Sequence, residues 1–294
     1  MFEGFRREFV RVEGVRIHAV IGGPEDAPPL LLVHGFPQNH VIWHAVAPAL
    51  AERFCVVCPD LRGYGHSDKP EAGPDHGGYA KRAMAADLVG LMAALGWARF
   101  GYAGHDRGAR VGHRMALDHP EAVERLCLID IAPTLHVFET VDQVVATAYE
   151  HWFSLLPEDG VPEHLIGLDP EFYLTALLRR WSADPDAFAP EAVTEYLRSF
   201  ARPEAIHAAC EDYRAAASID LEHDREDREA GTRIACPLHL LWGAKGLVGR
   251  RYDVIEVWGG YADGPVSGAA LDCGHFVPEE RPEGTAAALR EFFE

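Results

Sequence analysis

The sequence Gly104-His105-Asp106-Arg107-Gly108 is the strongest indication of the fold, because it separates two segments of opposite character. Residues 98–103 before it are predicted to form a short strand, and residues 109–119 after it a helix. Glycine at both ends permits a sharp turn in which backbone segments pass closely. A strand, a tight turn and a helix in this order would hold the Asp106 side chain at the end of a strand.

The chemistry of this turn depends on its central residue. Turns of this kind often carry a serine nucleophile, which performs acyl transfer. Asp106 has no proton to lose and would instead attack carbon, which leaves an ester on the enzyme. Arg107 adds a fixed cation next to it. The pair indicates displacement of a leaving group from a small anionic substrate.

The rest of the chain alternates between strand-like and helix-like segments. Residues 9–12 and 15–21 are predicted to form an antiparallel pair. Short apolar runs typical of buried parallel strands follow at 29–33, 54–59, 126–131, 237–242 and 266–271. Apolar residues at helical spacing occupy 81–95 and 282–293, and residues 41–52 are also predicted to be helical. The alternation predicts an α/β fold, a mostly parallel sheet with helices on both faces.

Between residues 133 and 225 the alternation stops, and the segment is helical and rich in aromatic residues. We therefore expect one core domain, formed by residues 1–132 and 226–294. Residues 133–225, named the cap below, would be a helical insertion in that core.

Charge limits the possible partners. The chain has 46 acidic and 27 basic side chains, a formal charge of −19, which argues against nucleic acid. An anionic substrate would be repelled at long range, although salt screens charges beyond about 8 Å. No apolar run approaches the length of about 20 residues that a membrane-spanning helix needs. The N-terminal residues also lack the apolar part of a secretion signal. We expect no membrane partner and a cytoplasmic location.

Cysteine usage predicts neither a metal site nor a cofactor. Six cysteines are scattered, mostly in apolar runs, and Cys55 and Cys58 have no second pair to complete a zinc site. Free buried thiols are typical of the reducing cytosol.

Further motifs accompany the turn around Asp106. They are His34-Gly35-Phe36-Pro37, the run from Asp60 to Ser67, Arg110, Leu128-Ile129-Asp130-Ile131, His151-Trp152, Asp212-Tyr213-Arg214 and Gly274-His275-Phe276. With this set, the chain resembles the fluoroacetate (haloacetate) dehalogenases of the α/β-hydrolase superfamily over nearly its full length. The resemblance implies the α/β-hydrolase fold with a cap, hydrolysis of a small 2-halocarboxylate to a hydroxy acid and halide, and a homodimer.

Two further residues would complete a catalytic triad with Asp106. His275 follows the last predicted strand and would take a proton from the water that attacks the Asp106 ester. An acid must orient His275, and the loop after Trp242-Gly243 holds none before Asp253. Asp130 lies at the end of the strand predicted at 126–131, which follows the helix at 109–119, and it can supply that carboxylate. The resemblance assigns the same residue. We predict Asp130, with Asp253 as the alternative.

The substrate carboxylate needs cations. Arg107 and Arg110 lie one helical turn apart and would share it, because a guanidinium fork suits a carboxylate. The backbone N–H groups of Phe36 and Arg107 would form an oxyanion hole, and the Phe36 ring an apolar pocket wall.

Fluoride leaves carbon poorly and needs hydrogen-bond donors. The resemblance places His151, Trp152 and Tyr213 around the halogen. Trp181 would line the same pocket or pack in the interior of the cap.

Two other classes of function share this fold. An epoxide hydrolase would use the same triad, Asp106, His275 and Asp130, but with two cap tyrosines on the epoxide oxygen. Cations at 107 and 110 suit a carboxylate better than an uncharged epoxide. Asp106 argues against a serine esterase and the intact triad against a non-catalytic relative, while Arg107 stands where haloalkane dehalogenases typically carry tryptophan.

Overall fold

Eight strands form one sheet in the computed structural model, which describes residues 1–294. The strands are β1 (Arg6–Val12), β2 (Val15–Gly22), β3 (Pro29–Val33), β4 (Cys55–Pro59), β5 (Phe100–His105), β6 (Val123–Ile129), β7 (Leu238–Gly243) and β8 (Val266–Leu271). Their order is β1-β2-β4-β3-β5-β6-β7-β8, with β1 and β2 joined to the sheet in antiparallel pairing and all later pairs parallel. The predicted α/β architecture is confirmed.

Helices connect these strands. Before β7 they are α1 (Ala47–Leu50), α2 (Lys81–Ala94), α3 (Arg107–Asp118), α4 (Thr134–Glu139), α5 (Gln143–Ala148), α6 (His151–Ser154), α7 (Val161–Leu168), α8 (Pro170–Trp181), α9 (Pro190–Phe200), α10 (Pro203–Ala217) and α11 (Ile219–Ala230). After β7 they are α12 (Leu247–Arg251), α13 (Val254–Gly259), α14 (Val277–Glu280) and α15 (Pro282–Phe293), and short 3₁₀ helices occupy His40–Trp43, Gly77–Tyr79 and Pro185–Ala187. None of these helices is long and apolar enough to cross a lipid bilayer.

One predicted helix, residues 41–52, is wrong in extent. The structure has a 3₁₀ turn followed by α1, a helix of four residues with Pro48 in its first turn. Proline lacks an N–H and disfavours helical backbone in the residue before it, so one continuous helix through this segment is interrupted.

Both faces of the sheet are buried, which explains why the central strands read as continuous apolar runs. Leu30 and Leu32 of β3 pack into the apolar cluster on one face, and Leu31 and Val33 into the larger cluster on the other. Side chains alternate between faces along a strand, so a strand covered on both sides has no place for polar residues.

Every element between β6 and β7 is helical, from α4 to α11. The segment boundary expected at residue 225 falls inside α11, which continues to Ala230 before the chain returns to the sheet.

The parallel strands bring the predicted catalytic residues to the same edge of the sheet. β5 ends immediately before Asp106, β6 ends immediately before Asp130, and β8 ends four residues before His275. The Asp106 N–H donates to the Ile129 carbonyl at 3.2 Å, which ties the ends of β5 and β6 together. The carboxyl ends of the strands therefore position the site.

Candidate active site

The backbone of Asp106 has a φ of 50° and a ψ of −115°, a conformation that residues other than glycine rarely adopt. Close packing holds it there. A Cβ atom at Gly104 would clash with the Gly108 carbonyl, and one at Gly108 with the His34 carbonyl. The glycines expected from the sequence are therefore required by backbone contacts, and strain is concentrated at the predicted nucleophile.

The loop after β3 contacts the Asp106 side chain directly. The Phe36 N–H donates to Asp106 Oδ1 at 2.9 Å. Gly35 allows this approach, because a Cβ there would clash with the Asp106 side chain. One carboxylate oxygen is thus held by a backbone donor while Oδ2 faces His275, with 3.8 Å between Oδ2 and Nε2. Of the two predicted oxyanion donors, the Phe36 N–H makes this bond and the Arg107 N–H does not.

His275 is held from its other nitrogen by Asp130. Nδ1 lies 2.6 Å from Asp130 Oδ2, and the Gly243 N–H donates to Asp130 Oδ1 at 2.9 Å. Asp253, the alternative acid, instead caps α13 by accepting the Glu256 N–H at 3.0 Å. The structure thus brings Asp106, His275 and Asp130 together, and it leaves Asp253 outside.

The pKa values of this group follow from its charges. Burial alone would lower the pKa of His275, but the hydrogen bond to Asp130 and the charges of Asp130 and Asp106 outweigh burial and raise it. Burial opposes ionisation of Asp106, yet the nearby cations, His275 first, hold the pKa of Asp106 below its usual value. An ionised carboxylate beside an imidazole is the arrangement that results.

Arg107 is less available than the sequence suggests. Its Nε and Nη2 donate to the carboxylate of Asp212 at 3.1 and 2.6 Å, and Nη1 alone has no partner in the protein. The expected contact of Arg107 with a substrate carboxylate is therefore limited to Nη1, since Asp212 occupies the other two nitrogens. One nitrogen remains, above the Tyr213 ring, whose centroid is 4.3 Å from the guanidinium carbon.

Arg110 differs from Arg107 in having no carboxylate partner. Its Nη1 donates to the Ala132 carbonyl at 2.9 Å and to Thr134 Oγ1 at 3.0 Å, and its Nε has no acceptor in the protein. Burial first, and then the charge of Arg107, lower its pKa. A buried cation without a counter-ion in the protein is costly, which makes the site receptive to an anion.

Asp212 is a site residue whose role sequence reasoning missed, although its motif was noticed. Besides Arg107, it accepts from the Tyr64 hydroxyl at 2.6 Å and from the Lys81 ammonium. The charges of Arg107 and Lys81 hold its pKa well below the usual range in spite of burial. Asp212 and its three partners lie on four distant segments of the sequence, so no local pattern could have revealed the network.

Aromatic side chains from the cap close over Asp106. The Tyr213 and His151 rings lie 5.3 Å apart, and the Phe36 ring is 5.2 Å from Tyr213. Tyr213 Oη and His151 Nδ1 are buried and have no hydrogen-bond partner in the protein. Burial first, together with the nearby arginines, lowers the pKa of His151 to about 3, so at neutral pH it is an uncharged donor. Trp152 packs differently, with its ring below Arg110 and stacked on Tyr149.

Trp181 lines the cavity that reaches the triad. This cavity has a volume of about 570 Å³, and Asp106, His151 and His275 also line it. The Trp181 ring centroid is 4.5 Å from His151 and 5.6 Å from His275. Of the two placements considered for Trp181, the pocket is the one observed.

One cluster outside the site has the residue types of a metal centre. His18, His40 and Asp60 hold their ligand atoms within 4.8 Å of one another. Each imidazole Nδ1 lies 2.8 Å from the Asp60 carboxylate, which also accepts the N–H groups of His40 and His66. The lone pairs of Asp60 are thus directed at protein donors, and this hydrogen bonding accounts for the cluster without an ion.

Comparison with known proteins fits this geometry. The α/β hydrolase fold family matches residues 28–282. The chain belongs to the α/β-hydrolase family. A fluoroacetate dehalogenase from a Burkholderia species is 47% identical over 99% of this chain and 95% of its own.

Other α/β hydrolases are also similar. A soluble epoxide hydrolase from a Corynebacterium species is 35% identical over 96% of this chain and 95% of its own length. A crystal structure of a protein from Nostoc sp. PCC 7120, assigned to the α/β hydrolases, superposes with a TM-score of 0.97 at 52% identity and covers 100% of this chain and 99% of its own.

Glu280 joins the His275 loop to the cap, and sequence reasoning missed it. Its Oε2 accepts the N–H groups of Gly274, Ala183 and Asp184 at 2.9, 2.8 and 3.1 Å, and Oε1 accepts that of Phe276 at 3.1 Å. Two of these donors flank His275. The His275 N–H itself donates to the Trp181 carbonyl at 2.8 Å. In the sequence Glu280 is one of two consecutive glutamates after a proline, which carries no such signal.

We predict that Glu280→Gln slows the step that needs His275. Glutamine keeps one acceptor oxygen and directs an N–H group at backbone donors, so the free energy of unfolding should fall by about 1–3 kcal/mol. Turnover should fall about tenfold, measured by steady-state kinetics beside chemical denaturation. Glu283→Gln, at an exposed glutamate of α15, is the matched control. Wild-type turnover in Glu280→Gln would show that the backbone hydrogen bonds accepted by Glu280 do not position His275.

Proposed function

We propose that this chain hydrolyses small 2-halocarboxylates, with fluoroacetate and other haloacetates as substrates, to glycolate and halide. The observation that carries the proposal is Arg110, a buried cation beside Asp106 that makes no salt bridge within the protein. The carboxylate of a haloacetate would supply its missing counter-ion. Nη1 of Arg107 supplies a second free donor.

In the first step Asp106 Oδ2 attacks the carbon that carries the halogen. The new bond joins Oδ2 to carbon, and the halide leaves on the opposite side with the electron pair of the broken bond. His151 and Tyr213 donate to the departing halide, since both hold buried polar atoms without protein partners. Trp152 is the third proposed donor, from its position beside Tyr149 and Arg110.

In the second step water hydrolyses the ester. His275 Nε2 takes a proton from water, and the hydroxide attacks the Asp106 carboxyl carbon. Negative charge develops on Oδ1, where the Phe36 N–H already donates. The bond between the carboxyl carbon and Oδ2 then breaks, so glycolate leaves with Oδ2 and receives the proton from His275. The Arg107 N–H is the second proposed donor of this oxyanion hole.

Loss of the Asp106 charge in the first step prepares His275 to act as a base in the second. In the free enzyme the charge of Asp106 helps to raise the pKa of His275. Ester formation removes that charge, so the pKa of His275 falls and its imidazolium releases a proton more readily. The base is therefore neutral when water activation requires it.

The cap completes the site in this proposal. His151, Trp152, Trp181 and Tyr213 all come from residues 133–225, whereas Asp106, Asp130 and His275 come from the sheet edge. In this proposal the sheet edge supplies the reactive groups and the cap supplies the halide donors. This division excludes bulk water from the attacking carboxylate.

We further propose a cytoplasmic homodimer. Five of the six cysteines are buried free thiols and the sixth is partly buried, which suits a reducing compartment. Leu165, Leu168 and Phe172 on α7 and α8 expose 61%, 69% and 70% of their surface. A second copy of this chain would cover them.

The central test is the fate of haloacetate. The wild-type protein should release fluoride from fluoroacetate and chloride from chloroacetate, and His275→Asn should accumulate a carboxymethyl ester on the peptide that contains Asp106, seen by mass spectrometry. Asp106→Ala is the control and should form neither ester nor halide. If a simple epoxide yields diol while haloacetates release no halide, the epoxide hydrolase alternative replaces this proposal.

Tyr213→Phe should distinguish the halogens. Loss of one donor to the leaving group should reduce turnover of fluoroacetate about 10- to 100-fold, and that of chloroacetate less, because chloride leaves more readily. Stability should stay unchanged, since the hydroxyl has no partner in the protein. Tyr261→Phe, at a tyrosine that packs on Trp258 away from the cavity, is the control. Equal losses for both substrates would exclude a donor role for Tyr213.

The two steps should respond differently to pH. Asp106 has a lowered pKa and stays ionised in mild acid, whereas His275 has a raised pKa and becomes protonated as pH falls through it. Loss of the Asp106 charge lowers the pKa of His275 in the ester, but the first step needs only ionised Asp106, whose pKa lies below its usual value. Ester hydrolysis should therefore slow before the first step does, and rapid-quench kinetics in mild acid should show a halide burst of one equivalent per site. A steady-state rate that falls without any burst would place the pH-sensitive group in the first step instead.

The dimer can be tested by sedimentation equilibrium. The wild-type protein should sediment as a dimer at micromolar concentration, and Leu168→Glu combined with Phe172→Glu should give a monomer, because two buried charges without partners are costly. A monomeric wild-type protein would overturn this part of the proposal.

A further inference from the structure

Basic side chains surround the outer part of the active-site cavity. Arg180 at the end of α8, Lys245 in the loop after β7 and Arg250 in α12 line the same cavity as Asp106 and His275. All three are exposed. We name these three residues the mouth cations. The only acidic residues that line this cavity are Asp106 and Asp130.

This distribution runs against the composition of the chain, which has 46 acidic and 27 basic side chains. Both acidic residues of the cavity belong to the triad, and protein donors already hold them. The outer part of the cavity therefore carries positive charge on a protein whose formal charge is −19.

The three mouth cations are neutralised to different extents. Arg180 Nη1 lies 3.0 Å from Glu150 Oε1, and Lys245 Nζ lies 2.8 Å from Asp272 Oδ1. Both pairs are exposed to solvent, so their attraction is weak and each cation can exchange its partner. Arg250 makes no salt bridge, and its Nε donates only to the Gly246 carbonyl at 3.2 Å. Its charge is free to meet an incoming anion.

Screening lets these local charges dominate. At physiological salt the field of a distant charge decays over about 8 Å, so most of the acidic surface acts weakly on an anion at the cavity. Charges that line a cleft act at short range, and the low dielectric of its walls focuses their field. Positive charge at this position can raise the rate at which anions enter, despite the overall negative charge.

We propose that Arg180, Lys245 and Arg250 form an outer capture site for small carboxylates. The anion meets the mouth cations first and then moves inward to Arg110, the buried cation beside Asp106. This inference deepens the proposed function, and it rests on that function for the identity of the anion as a haloacetate. The presence of an anion-attracting cavity depends on the side chains alone.

Two charge-removing variants test the capture site by kinetics. Arg250→Gln, and Arg250→Gln combined with Lys245→Gln, should lower kcat/KM for chloroacetate about 3- to 10-fold at low salt with kcat unchanged. The loss should shrink as salt concentration rises. Arg225→Gln removes the same charge from an exposed position on α11 outside the cavity, and its kcat/KM should equal that of the wild-type protein.

Fluorescence quenching tests the same site without catalysis. Trp181 lines the cavity, and its contribution is isolated by subtracting the emission of Trp181→Phe variants. Iodide, an anionic quencher, should quench Trp181 less in Arg250→Gln than in the wild-type protein, while the neutral quencher acrylamide should act equally on both. Arg225→Gln should match the wild-type protein with both quenchers.

The two readouts separate the possible failures. If haloacetates release no halide but iodide quenching falls in Arg250→Gln, the proposed function fails and anion capture by the mouth cations stands. If haloacetates are hydrolysed but the variants keep wild-type kcat/KM at low salt and wild-type iodide quenching, the capture site is overturned. An equal loss in Arg225→Gln would also overturn it, since the effect would then come from net charge.

Discussion

The turn that holds Asp106 at the end of β5 determines where the other groups of the active site can lie. Its backbone has a φ of 50°, a conformation that costs a non-glycine residue about 1–3 kcal/mol. Three backbone segments meet there, and Gly35, Gly104 and Gly108 have no room for a Cβ atom. Packing on both faces of the sheet holds this geometry, which directs one carboxylate oxygen to the Phe36 N–H and the other toward His275.

Charge is arranged in layers around that carboxylate. Asp212 neutralises Arg107 and holds its guanidinium against the Tyr213 ring, so the position of Arg107 is fixed and only Nη1 is free of protein partners. Arg110 makes no salt bridge within the protein, and in the proposed function it is the group that favours a carboxylate substrate over an uncharged epoxide. Farther out, Arg250 is again without an acidic partner. The acidic surface of the chain and a cavity for anions are therefore compatible.

The sequence was sufficient to predict what depends on local pattern or on strand ends. The parallel sheet, the turn at Asp106 and the choice of Asp130 over Asp253 follow from apolar runs and from where carboxylates stand after strands. The availability of Arg107 could not be predicted, because Asp212 reaches it from α10, more than a hundred residues away in the chain. Glu280 escaped notice for a similar reason, since its role consists of backbone hydrogen bonds to two separate segments.

Oxygen tracing in a single turnover shows whether Asp106 forms a covalent ester which water then hydrolyses at the carboxyl carbon. The enzyme, in excess over chloroacetate, reacts once in oxygen-18 water, and both product and digested protein are analysed by mass spectrometry. If the ester forms, glycolate should be unlabelled and the peptide that contains Asp106 should carry one heavy oxygen. Heavy oxygen in the hydroxyl group of the first glycolate, with an unlabelled Asp106, would contradict ester formation.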